Sequence, residues 1–243
     1  MPKRQLTAAD GHSFEAYEAI PTGDIKGGVV IIQEIFGVNQ HIREVVDGYA
    51  KDGYAAIAPA LFDRVETGVE LGYANEDEFN KGLEIAFQKL QIDDALSDVQ
   101  ACVKALGSHG KVGVVGYCFG GLLTWLSACR LTGISACSAY YGGGTVNHVS
   151  EKAKCPVIMH FGEKDEHIPM NEVEQITSTL SDVPVYVYDA DHGFNCDHRG
   201  SYDQKSASEA KKRTLDFFES SAYEKLYEYY SINSIISLIN NIL

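Results

Sequence analysis

The stretch KVGVVGYCFGG, residues 111–121, decides the fold of this chain. Val112 to Val115 form a short β-branched apolar run, which predicts a buried strand. The residues GYCFG at 116–120 match the G-x-nucleophile-x-G turn with cysteine at the nucleophile position, and the apolar segment 122–131 predicts a helix. Strand, sharp turn and helix form the context in which this turn exposes a nucleophile. Cys118 is therefore the candidate nucleophile, and the alternative is an inert core thiol, the usual state of a free cysteine.

Composition limits the class of protein. A chain of 243 residues with 45% hydrophobic residues is long enough for one α/β domain with a full core. The formal net charge is −14, and no basic stripe is present, so we expect no nucleic-acid partner. No uninterrupted apolar run reaches about 18 residues, so we expect no membrane span.

The N-terminal stretch MPKRQLTAAD lacks the apolar segment of a signal peptide. We therefore expect a cytoplasmic location and reduced thiols. No C-x-x-C pair is present, so the sequence predicts neither a zinc site nor any other metal site, and it gives no sign of a cofactor. The six cysteines are Cys102, Cys118, Cys129, Cys137, Cys155 and Cys196.

Strands and helices alternate along most of the chain. After an opening strand or hairpin around Gly11, strands are predicted at 28–32, 54–58, 112–115, 134–141, 156–162 and 184–188. Helices are predicted at 38–51, 93–106, 122–131, 171–180 and 206–219. This rhythm is typical of βαβ units and predicts an α/β fold with a mostly parallel sheet.

Two segments depart from this rhythm. Residues 63–91 are polar and irregular, which is long for a connection and suggests a binding loop or lid. Residues 220–243 are rich in Ile, Ser and Asn with apolar residues at helical spacing, and they predict an amphipathic helical extension of a domain at 1–219. Such a segment either covers an apolar patch of its own chain, joins two copies or is partly disordered, and we expect a monomer or a homodimer through this helix.

A nucleophile needs a base and an orienting group, and each has a candidate after a later strand. Asp165 follows the strand at 156–162, and His192 follows the strand at 184–188. Because the carboxyl ends of parallel strands line one crevice, both could meet Cys118 there. His192 would accept the thiol proton, and Asp165 would hold the imidazole tautomer. The alternatives that stay open are Glu163 or Glu166 as the acid, and His160, His167 or His198 as the base.

Glu34 directly follows the early strand at 28–32. The loop after such a strand supplies the second oxyanion donor in hydrolases that carry the nucleophile turn. The backbone N–H groups of Ile35 and Phe119 are therefore the oxyanion-hole candidates. Taken alone, Glu34 would be interpreted as a solvated carboxylate at a strand end.

The motifs together resemble one known family. QEIFGVN at 33–39, GYAAIAPALFDR at 53–64, GYCFGG at 116–121 and HGFN at 192–195 look like the dienelactone hydrolase (carboxymethylenebutenolidase) family, over about residues 10–219. The resemblance implies an α/β-hydrolase fold with helices on both faces of the sheet, and hydrolysis of a small ester or lactone without metal or cofactor. It also implies Cys118 as nucleophile, His192 as base, Asp165 as orienter, and Glu34 as the strand-end glutamate that helps to generate the thiolate when substrate binds.

The chain departs from the family at its substrate-binding arginines. In the best-known members an arginine lies four residues after the triad histidine, and this chain has Cys196 there. A second arginine belongs in the long excursion, but this chain has only lysines between Arg64 and Arg130. Arg199 could reach the site. Dienelactone itself is therefore an open question as the substrate.

Two further classes of function stay open. Cys118 could be a redox-sensing thiol with its pKa tuned by Glu34, although a sensor needs no base and orienting acid. The chain could also be a non-catalytic binding or assembly protein that uses the isoleucine-rich segment 220–243 as its interface.

Overall fold

The computed structural model describes residues 3–221 of the chain. Eight strands form one sheet in the order β1-β2-β4-β3-β5-β6-β7-β8. Only the pairs β1–β2 and β2–β4 are antiparallel, and the remaining pairs are parallel. The strands are β1 Lys3–Thr7, β2 Ser13–Ala19, β3 Gly27–Ile32, β4 Tyr54–Pro59, β5 Val112–Tyr117, β6 Ala136–Tyr140, β7 Val157–Gly162 and β8 Val185–Tyr188.

Within residues 3–221, five α-helices lie between strands, and a sixth follows β8. They are α1 Gln40–Lys51, α2 Glu76–Glu84, α3 Ile92–Leu106, α4 Phe119–Arg130 and α5 Met170–Thr179, and α6 covers 204–221. The predicted α/β class, the opening hairpin and the parallel sheet are confirmed. Within residues 3–221, no helix is long and apolar enough to cross a membrane.

Helices cover both faces of the sheet, and two glycines of β5 show how. A Cβ built at Gly113 would meet the Phe218 ring of α6 at 3.0 Å, whereas one at Gly116 would meet Thr124 Oγ1 of α4 at 2.4 Å. Residues an odd number apart on a strand point to opposite faces. Helices α4 and α6 therefore pack against opposite faces.

The excursion at 63–91 is more ordered than the sequence predicted, and the expectation of an irregular segment is wrong for much of it. It contains α2 and a π-helical turn, Ile85–Lys89. Asn75 caps α2 by accepting a hydrogen bond from Asp77 N at 2.8 Å, and three acidic residues of the first turn favour the helix dipole. Gly82 packs so closely on the loop after β3 that a Cβ would lie 2.3 Å from Ile35 O.

The sheet topology determines where a site can form. The chain runs from β3 outward to β4, returns past β3 to β5, and then continues to β6, β7 and β8 on the other side. The carboxyl ends of β3 and β5 therefore flank the switch point at which ligands bind in open α/β sheets. The predicted extension at 220–243 lies outside the described residues, apart from its first two residues, which continue α6.

Candidate active site

Cys118 lies in a strained turn between β5 and α4. Its backbone has φ 55° and ψ −117°, which is uncommon for a residue other than glycine. The flanking glycines are required by contact, because a Cβ at Gly116 would lie 2.1 Å from Gly120 O, and one at Gly120 would lie 2.4 Å from Ile32 O. The turn holds the half-buried Cys118 side chain at the carboxyl end of β5.

Asp165 and His192 meet as the strand order predicted. His192 Nδ1 lies 2.7 Å from Asp165 Oδ2, and both side chains are buried. The other oxygen, Asp165 Oδ1, accepts hydrogen bonds from the backbone N–H groups of His167 at 2.8 Å and Ile168 at 3.0 Å. Both oxygens of this carboxylate therefore have donors, which fixes its orientation towards the imidazole.

Most of the rival acids and bases lie away from this pair, and His167 is the exception because it lines the same cavity. Glu163 and Glu166 are exposed. His160 is buried in β7 against Tyr188 Oη at 2.8 Å, and His198 Nε2 contacts Glu44 at 2.7 Å. His167 packs its ring against His192 with the centroids 5.1 Å apart.

His192 also contacts the side chain of Cys118. Burial lowers the pKa of His192, but the negative charge of Cys118 and hydrogen bonds with Asp165 and Cys118 outweigh it and raise that pKa to about 10. This arrangement can stabilise an imidazolium–thiolate pair.

A cavity of about 430 Å³ opens over this pair. Its walls are mostly apolar, and α2 with the turn after it supplies Phe79, Leu83 and Phe87. Cys118, His192 and Arg199 provide polar groups in the wall. The excursion at 63–91 thus lines the cavity, and its role as a lid stays a prediction.

The two predicted oxyanion donors lie at this cavity. Ile35 and Phe119 both line it. Phe119 is the first residue of α4, so its N–H has no acceptor within the helix. Strands β3 and β5 are parallel neighbours, with Ile32 opposite Gly116, which brings the loop of Ile35 alongside the Cys118 turn. Their use as donors to a negatively charged oxygen stays a prediction.

Glu34 is fully buried, in contrast to the solvated carboxylate that its sequence context alone suggested. Tyr73 Oη donates a hydrogen bond to Glu34 Oε2 at 3.0 Å, and Arg199 Nη1 lies 3.5 Å from Glu34 Oε1. Burial lowers the pKa of Arg199, but the negative groups around it, Glu34 foremost, together outweigh this and raise that pKa. The guanidinium carbon lies 5.9 Å from the Phe36 ring centroid and 5.8 Å from that of Tyr73. Glu34 therefore helps to keep a cation at the cavity wall.

Sequence reasoning missed Tyr73, because it lies in the excursion outside every motif. Burial, and then the charge of Glu34, raise the pKa of Tyr73, so its hydroxyl remains a donor to that carboxylate. The sequence alone indicated only that Arg199 could reach the site. Its closeness to Gly193, where a Cβ would lie 2.6 Å from Arg199 Nη1, results from the tertiary fold.

Two overlapping groups of side chains could hold a metal ion within the described part of the chain. The donor atoms of Glu34, His41 and Cys196 lie within 4.8 Å of one another, as do those of His41, Asp197 and His198. Burial lowers the pKa of His41 and raises that of Cys196 to about 12. Cys196, which stands where the best-known family members have an arginine, thus lies beside Glu34.

Comparison with known proteins gives a consistent result. The model of the dienelactone hydrolase family matches residues 14–222. A Synechocystis protein provisionally named carboxymethylenebutenolidase is 35% identical over 215 residues, covering 79% of this chain and 85% of that protein. The carboxymethylenebutenolidase of Pseudomonas putida is 31% identical over 222 residues, covering 87% and 93%. A crystal structure from Klebsiella pneumoniae, provisionally described as a dienelactone hydrolase, superposes with a TM-score of 0.76 at 29% identity, covering 89% of this chain and 97% of that one.

Proposed function

This chain belongs to the dienelactone hydrolase family and is an ester or lactone hydrolase by that membership, and we propose that it acts through a Cys118 thioester. The observation that carries the proposal is the buried 2.7 Å contact between His192 Nδ1 and Asp165 Oδ2, directly behind the Cys118 thiol. A nucleophile, a base and an orienting acid in contact at a cavity are the arrangement that acyl transfer requires.

The first half of the reaction forms the thioester. The Cys118 thiolate attacks the carbonyl carbon of the substrate, and the carbonyl oxygen takes up the negative charge. The N–H groups of Ile35 and Phe119 stabilise that oxygen. The carbon–oxygen bond then breaks, and the leaving oxygen takes the proton from His192. For a lactone, the leaving oxygen remains attached to the same molecule.

The second half returns the enzyme to its starting state. His192, now neutral, accepts a proton from water, and the resulting hydroxide attacks the thioester carbon. The carbon–sulfur bond breaks, which releases the carboxylic acid product and restores the thiolate. Asp165 stays ionised and stabilises the charge on the imidazole in both halves.

The cavity indicates the shape of the substrate. Mostly apolar walls suit a compact hydrocarbon or aromatic body. Arg199 is the cation at this wall and would bind a substrate carboxylate, in place of the arginine that Cys196 replaces. A carboxylate that pairs with Arg199 would compete with its contact to Glu34, the residue that by family resemblance helps to generate the thiolate when substrate binds.

The test compares wild type with Cys118→Ala in the hydrolysis of dienelactone and of an activated neutral ester. We expect turnover by wild type, loss of at least about 10³-fold in Cys118→Ala because the nucleophile is removed, and wild-type rates in the control Cys155→Ala. Mass spectrometry of the acid-quenched wild type should show the acyl mass on the peptide that contains Cys118. Full turnover by Cys118→Ala would refute the thioester route.

A further inference from the structure

Three donors from separate parts of the chain converge behind the wall of the substrate cavity. Glu34 follows β3, His41 lies in the first turn of α1, and Cys196 follows the His192 loop. Their donor atoms lie within 4.8 Å of one another, and all three residues are at least nine-tenths buried. We propose that Glu34, His41 and Cys196 bind one divalent cation of borderline softness, for which Zn²⁺ is the probe. One thiolate, one imidazole and one carboxylate form a ligand set that suits Zn²⁺ and leaves a fourth position open.

The ring of His41 gives the independent reason for a ligand at this point. His41 is only 3% exposed, and its Nε2 atom has no hydrogen-bond partner within the described residues. Leaving a buried polar nitrogen unpaired carries a free-energy cost. Within this cluster, a metal ion on Nε2 would remove that cost.

The other nitrogen of the same ring already has the partner that a metal-binding histidine needs. His41 Nδ1 lies 3.2 Å from Asp197 Oδ1. A proton on Nδ1 would be donated to that carboxylate, and the lone pair on Nε2 would be directed at the metal. Histidine ligands usually donate their second ring N–H to a carboxylate in this way, which fixes the tautomer and makes the ligand more basic.

The positive charge of Arg199 would repel a cation bound at this site. Its Nη1 atom lies 3.5 Å from Glu34 Oε1, and Tyr73 donates to Oε2. A carboxylate has about four lone-pair positions, so Glu34 can keep these donors and still bind a metal. Once Cys196 has lost its proton, it and Glu34 carry two negative charges, and Asp197 adds a third at the edge, against the one positive charge of Arg199.

Of the three proposed ligands, His41 lines a second cavity that is separate from the substrate cavity. His41 and Asp197 line this second cavity of about 290 Å³, which also contains Glu44 and Asn195. The cavity that contains Cys118 is lined by other residues. Metal binding is measured by cobalt absorption and not by hydrolysis, so the test of this proposal does not depend on the thioester route.

The experiment titrates the full-length protein with Co²⁺ and records the thiolate-to-cobalt charge-transfer band, with Zn²⁺ added to displace the cobalt. We expect one equivalent of Co²⁺ to produce the band in wild type and in Cys118→Ser, and no band in Cys196→Ser. Asp197→Asn keeps all three ligands, so it should keep the band and weaken the affinity about 10- to 100-fold. The control Asp189→Asn removes another exposed carboxylate elsewhere and should bind as wild type does.

Three results would overturn the proposal. The first is no band in wild type with excess Co²⁺. The second is a band that survives Cys196→Ser and disappears in Cys118→Ser, which would place the ion on the nucleophile. The third is loss of binding in His198→Gln with Cys196→Ser unaffected, which would place the ion at the outer group. If Cys196→Ser does not fold, the Asp197→Asn variant provides the test, because the Asp197 side chain is 59% exposed and its replacement spares the core. An unchanged Co²⁺ affinity in Asp197→Asn would then count against the site.

Discussion

Replacing Asp165 with asparagine should prevent His192 from accepting the thiol proton. In the folded protein, Asp165 Oδ1 accepts two backbone hydrogen bonds, and Oδ2 faces His192 Nδ1 at 2.7 Å. In Asp165→Asn, the carbonyl oxygen must stay with the two N–H groups, because the amide NH₂ cannot accept from them. The NH₂ group would then face Nδ1, which becomes an acceptor. The proton of neutral His192 moves to Nε2, the nitrogen that should receive the thiol proton.

The magnitude follows from the contact that is lost. A hydrogen bond to a charged group is worth about 1.5–3 kcal/mol, which is a factor of about 10 to 150 in rate at 1.36 kcal/mol per tenfold. The wrong tautomer adds to this, and the same substitution in a serine protease triad lowers kcat about 10⁴-fold. We therefore expect kcat/KM to fall between about 10²-fold and 10⁴-fold.

The assay is the hydrolysis of an activated neutral ester between pH 6 and 9, with thermal unfolding as the check on folding. Glu166→Gln is the matched control, because it removes an exposed carboxylate from the same loop. This control should retain wild-type rates and also tests the rival assignment of the acid. A folded Asp165→Asn variant within about threefold of the wild-type kcat/KM would refute the argument, as would a large loss in Glu166→Gln.

Three further outcomes follow from the same structure. Because the pKa of His192 is raised from 6.5 to about 10, its contribution to stability is complete below pH 6.5 and is lost as pH rises through 10. In denaturant titrations, the unfolding free energy of wild type relative to His192→Gln should therefore fall over that pH range. A difference that does not change with pH would contradict this prediction. Gly120→Ala should lower the unfolding free energy by about 1–3 kcal/mol or more, whereas Gly107→Ala, with nothing within 4 Å of the new Cβ, should change it little by the same measurement. Arg199→Gln should raise KM for a carboxylate-bearing lactone about tenfold or more and leave KM for a neutral ester nearly unchanged in parallel assays; equal losses on both substrates would remove Arg199 from carboxylate binding.

The positions of the candidate nucleophile, acid and base could be predicted because each is a local property of the chain. A β-branched run followed by a glycine-flanked turn specifies both the strand and the residue at its end, as at Cys118. Asp165 and His192 each follow a strand of the same parallel set. Parallel strands end at the same edge of the sheet, so strand order alone implied that the three side chains would meet there.

Other parts of the site could not be predicted in this way. The sequence marked Glu34 as important only through a family resemblance, and its burial depends on Tyr73 and Arg199, which come from distant segments. Helix α2 was missed because polar residues and scattered glycines obscured a short capped helix. The expectation of no metal site rested on cysteine spacing along the chain, whereas Cys196 meets its proposed co-ligands only through folding.

The sequence by itself determined where the main strands lie, that the sheet is mostly parallel, and that Cys118, Asp165 and His192 each follow a strand, because hydrophobic periodicity and turn chemistry act over a few neighbouring residues. Only the tertiary structure decided which carboxylate orients His192, what surrounds Glu34 and how the cavity is lined. Those properties depend on contacts between segments up to 165 residues apart, such as the one that joins Arg199 to Glu34. Such contacts are fixed by how the loops pack over the sheet, and local sequence does not encode that packing.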